Sequence, residues 1–103
     1  MEITQNESEF DKRQLHLIRE IIRSIKNDLE NAHVPAEQLQ DLTSNIAFSI
    51  AAIIDGSRVM RADGRSLIPM LTFADDDQRT KLVARPGGSF MHEYVDGTVD
   101  DVF

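Results

Sequence analysis

The chain contains no cysteine. Disulfides and zinc–thiolate sites are therefore excluded, and a reducing cytoplasm is the expected home. Its first ten residues, MEITQNESEF, are acidic and polar and lack the basic and apolar blocks of a signal peptide. No apolar run approaches the roughly 20 residues a bilayer span needs. The longest, Ile46 to Ile54, is broken by Ser49. Positive charge is scarce too: 11 bases face 18 acids, for a net charge of −7. Broad nucleic-acid binding is disfavoured, because it needs a net basic face to neutralise phosphates. There is no internal repeat and no low-complexity segment.

What is present suits one globular domain. Of the 103 residues, 41% are hydrophobic and 28% charged, which is not the signature of disorder. The spacing predicts an N-terminal tail over residues 1–7, then a helix over 8–31 opened by Ser8 with Asp11 as a capping-box partner. Phe10, Leu15, Leu17, Ile18, Ile21, Ile22, Ile25 and Leu29 share one arc of about 160°, too wide for a single neighbour. Pro35 suits the first turn of a second helix over 35–55, and Gly56 its left-handed stop. The short link makes the two helices antiparallel.

From residue 58 the period shifts towards two. Asp63-Gly64, Asp75 to Gln78, Pro86 to Gly88 and Asp96-Gly97 mark turns, and TKLVAR, SFMHEYV and TVDDVF read as strands. The fold class is α+β: an N-terminal antiparallel helical hairpin packed on a C-terminal antiparallel β-meander of three to five strands over 58–103. Such a layout is frequent in small bacterial proteins.

Four features bear on function. The first is self-association. The second half of the second helix, IAFSIAAII, is apolar all round and should be buried all round. Its small face would admit a second copy, with Ala47, Phe48, Ala51 and Ala52 at a homodimer interface. The second is a basic stripe of Lys12, His16, Arg19, Arg23 and Lys26, within about 80° of one another on the first helix. Its nearest anionic partners are the chain's own Asp75 to Asp77 and Asp100-Asp101.

The third is charge asymmetry. Residues 58–74 carry three arginines against one aspartate, while residues 75–103 carry seven acids against three bases. Arg58, Arg61 and Arg65 could hold a small anion, and the acidic C-terminal half could meet a basic protein partner. The consecutive acids Asp75 to Asp77 are a weak match to a hard-cation site, and no metal or other cofactor is expected. The fourth is chemistry, where the signals are poor. His16, His33 and His92 lack metal-ligand spacing, and Ser57, Ser66 and Ser89 lack a nucleophile-elbow context. The leading expectation is a non-enzymatic homodimeric interaction or regulatory protein. The alternative is a small-molecule binder or minor enzyme with a pocket between helices and sheet near Asp55, Arg58, Arg61 and His92.

Overall fold

A computed structural model describes all residues, 1–103. The chain runs β1 (Glu2–Gln5), α1 (Glu7–Asn31), α2 (Ala36–Ile54), β2 (Met60–Ala62), β3 (Arg65–Leu67), β4 (Phe73–Ala74), β5 (Lys81–Ala84), a 3₁₀ turn (Met91–Tyr94) and α3 (Val95–Val102). Helices packed against short strands make it α+β, and the helical hairpin is present. The sheet is mixed, not a simple meander: β5 is central, with β1 parallel on one side and β4 antiparallel on the other. β2 and β3 form a separate two-stranded ribbon.

Local chemistry accounts for most element ends. The α1 cap is Asn6, not Ser8: its side chain accepts from the Glu9 N–H at 3.2 Å, and Ser8 donates to the same oxygen at 3.3 Å. Pro35 caps α2 in extended geometry. Gly56, at φ +73°, ends it, and the Ser57 N–H closes back on the Ala52 carbonyl at 2.9 Å. Asp63 and Gly64 both adopt positive φ, the geometry a two-residue hairpin between β2 and β3 requires.

Two segments depart from the expectation. Residues 2–5 are not a tail: Glu2 to Gln5 pair with Lys81 to Ala84 as β1. Nothing in EITQ advertises a strand, and all four residues are exposed, so the backbone ladder alone holds it. Residues 91–102 are helical, not parts of two strands. The alternation of Phe90, His92 and Tyr94 suggests a strand, but Met91, Val95, Thr98 and Val99 are the buried residues, at helical spacing. Packing onto α1 and α2 overrides the strand preference of the valines, and Gly97 is carried within the helix.

The core is therefore built from three helices. Ile18 and Ile22 of α1, Ala47 and Ala51 of α2, and Met91, Val95 and Val99 of the C-terminal segment are buried together. The sheet packs at the other end, where Val83 is buried and Phe10 meets Phe73 edge-on at 5.2 Å. No helix is long and apolar enough to cross a membrane.

Candidate functional site

The helical C-terminus relocates the residues expected at a dimer interface. Ala47 and Ala51 are fully buried against their own chain's α1 and α3, and Ala52 is nearly so. The small face of α2 is thus occupied within one chain and cannot touch a second copy. Phe48 is different. It lies on another side of α2, 49% exposed, with its ring edge-on to His92 at 5.9 Å. Full burial of α2 is not reached, since Leu42 and Ile46 are wetted as well.

The basic stripe is largely spent on its own chain. Arg19 reaches Asp101 at 3.5 Å, Arg23 reaches Glu20 at 3.5 Å, and Lys26 donates to the Val102 carbonyl at 3.3 Å and lies over the Phe103 ring. Lys12 and His16 make no such bond and stand exposed at a groove of about 470 Å³ between α1 and β4. Leu17 and Phe73 form its apolar floor. Arg13 also lines it, but is held by Asp75 at 2.6 Å and Glu9 at 3.0 Å, and these carboxylates raise its pKa further above its ordinary value. Asp75 to Asp77 do not converge on a common point. Asp75 pairs with Arg13, whereas Asp76 accepts from the Thr80 and Lys81 N–H groups and the Thr80 hydroxyl, which lowers its pKa.

The most organised polar cluster joins the end of α2 to the 3₁₀ turn. The Asp55 side chain is 1% exposed. Its carboxylate accepts from Ser89 Oγ at 2.6 Å and the His92 backbone N–H at 2.8 Å, and lies 2.7 Å from His92 Nδ1. Asp55 and His92, expected near each other, are thus in contact. Arg58 and Arg61, the other members of that expected pocket, make no ion pair or side-chain hydrogen bond with them; the separate trio of Arg58, Arg61 and Arg65 is not gathered either. Register places Arg61 opposite Ser66 and Arg65 opposite Ala62, so the two arginines project from opposite faces of the ribbon. No cavity opens among Arg58, Arg61 and Arg65.

A serine-nucleophile relay through the Asp55–His92 couple fails on geometry. Ser57 Oγ, at 3.5 Å, approaches the same Nδ1 that faces Asp55. A nucleophile relay needs the two ring nitrogens to serve different partners. Neither of the molecule's cavities includes the couple. Both carboxylate oxygens of Asp55 are engaged within the chain, which makes the cluster a tie between elements.

One surface was not legible in the sequence. A cleft of about 330 Å³ between α2 and α3 is lined by Gln40, Asp41, Ser44, Asp96, Val99 and Asp100. Ser44 donates to Asp96 at 3.1 Å and Gln40 to Asp100 at 3.4 Å, while no cation pairs with Asp41, Asp96 or Asp100. Phe48 lies one turn beyond Ser44 on the same side of α2. Reading 89–95 and 98–103 as strands, with a turn at Asp96-Gly97, hid this cleft, because it is the packing of helical α3 beside α2 that brings Asp96 to Ser44 and Asp100 to Gln40. Compared with family models, curated proteins and solved structures, the chain matches none.

Proposed function

We propose that the protein is a non-enzymatic interaction module that works as a homodimer. The observation that carries this reading is the extent of uncovered surface. The accessible area is 6796 Å² for a chain of 11.6 kDa, whereas a folded monomer of that mass exposes about 5,800 Å². The excess, about 1,000 Å², matches the roughly 800 Å² that each partner contributes to a standard interface. The Cα radius of gyration of 15.4 Å exceeds the roughly 13 Å of a compact chain of this length in the same sense. Wetted apolar side chains are part of that surface: Phe48, Val59, Ile68 and Met70 are all about half exposed or more.

The test is sedimentation velocity across a concentration series from about 1 to 100 µM. A mass of two chains at the upper concentrations is expected. A single-chain mass throughout would overturn the homodimer. The unpaired acids Asp41, Asp96 and Asp100 also suit a basic protein partner, through steering that salt would weaken.

A second reading rests on the groove at Lys12 and His16. A cationic rim over the apolar floor of Leu17 and Phe73 has the chemistry to hold a small amphipathic anion, in keeping with the two unspent members of the stripe. Titration with an anilinonaphthalene sulfonate probe should saturate, and Lys12→Glu should weaken it. No saturable signal, or one indifferent to Lys12→Glu, would remove this reading.

A further inference from the structure

Unpaired cations and unpaired acids sit on different parts of this molecule. Arg58, Arg61 and Arg65 belong to the β2–β3 ribbon and its root, all exposed and none in an ion pair. The ribbon is three residues per strand, and its strands pair with each other while hardly touching any helix. An isolated two-stranded hairpin is marginal in water. Its apolar side chains are nevertheless turned outward, with Ile68 70% and Val59 71% exposed. Each face of the ribbon sets an arginine near a wetted apolar residue: Arg61 with Ile68, Arg65 with Leu67. The α2–α3 face has the complementary pattern, with Asp41, Asp96 and Asp100 around a cleft and exposed Phe48 one turn away.

We infer that the β2–β3 ribbon of one copy docks on the acid-edged α2–α3 face of a second copy, and that the second copy returns the same contact. The proposal rests on the homodimer reading above and names its interface. Opposite charge selects the occupant: a chain carrying seventeen acids against eight bases outside residues 58–74 offers its own ribbon as the nearest basic element. Reciprocal exchange buries two ribbons and two clefts about one two-fold axis, so the assembly closes at two copies. The contact orders an otherwise unsupported hairpin, and because its charges lie at a wetted rim it weakens with salt.

The experiment is a charge swap on the full chain, read by sedimentation equilibrium at low ionic strength. Arg61→Glu with Arg65→Glu reverses the ribbon, and Asp96→Arg with Asp100→Arg reverses the cleft. Each double variant alone should dimerise at least tenfold more weakly than the unaltered chain. An equimolar mixture should recover dimers, because each ribbon then meets a cleft of opposite sign on both sides of the axis. Recovery in the mixture also shows that both variants are folded. If Asp96→Arg with Asp100→Arg disrupts α3, Asp41→Lys reads the same contact from α2. Undiminished dimers in both variants, or no recovery on mixing, would overturn the ribbon contact while leaving the homodimer standing. A monomeric unaltered chain would overturn both.

Discussion

Gln14 is a fully buried polar residue in the middle of an apolar face, and its bonds explain why it is there. Its amide donates to Asp11 at 2.9 Å and its carbonyl accepts from the Phe90 N–H at 3.0 Å. Asp11 in turn accepts from Arg85 Nε at 3.0 Å, so one network joins α1 to the loop that leads into the C-terminal segment. Gln14→Leu leaves the partly buried Phe90 N–H without a partner. The expected cost is about 1–3 kcal/mol, measurable by urea unfolding. The neighbouring Tyr94 hydroxyl is pushed up by burial first and by the Asp11 charge second. Asp76 makes the pH prediction. Its pKa in the fold is depressed below the ordinary 3.8, chiefly by the Thr80 hydroxyl. The stability it supplies is complete above the unfolded value and is lost as pH falls through the folded one. Asp76→Asn should therefore flatten the acid limb of the stability curve below about pH 4, with little change in slope near neutrality.

At the scale of elements, α3 is the piece that decides the architecture. It closes the third side of the core over Ala47 and Ala51. Small residues there are a packing requirement: Ala51→Leu should destabilise by about 1–3 kcal/mol through overpacking, at any protein concentration. A dimer-face alanine would show a concentration-dependent loss instead, and thermal unfolding at two concentrations separates the cases. The α1–α2 hairpin was legible because long 3.6-residue periodicity, Pro35 and Gly56 all agree. The β2–β3 turn was legible because Asp63-Gly64 is a strong local signal. α3 was not, because eight residues with three valines and a glycine carry a weak helical pattern that only contact with α1 and α2 makes decisive. β1 left no trace, because its pairing lies in backbone bonds and not in side-chain pattern. For the candidate sites the outcome follows the same rule. The Asp55–His92 contact was an expectation of proximity, while the α2–α3 cleft needed α3 to be seen.

Across the whole molecule, charge and shape are unevenly shared. The extents of 46 × 34 × 23 Å reflect a packed three-helix body with a ribbon standing off it. If association covers that excess surface, unfolding is coupled to dissociation, and the melting temperature should rise with protein concentration. It should also fall as salt is raised from about 50 to 500 mM, since screening acts on the exposed arginines and aspartates. A melting temperature constant across a hundredfold concentration range would argue for a stable lone chain.

β1 carries a consequence in time as well as space. It joins the first residues of the chain to Lys81 to Ala84, closing a loop of about eighty residues. During synthesis residues 2–5 stay without this partner until Lys81 to Ala84 have been made and released. The helical hairpin has all its local contacts long before then, so this stitch belongs among the last steps of folding.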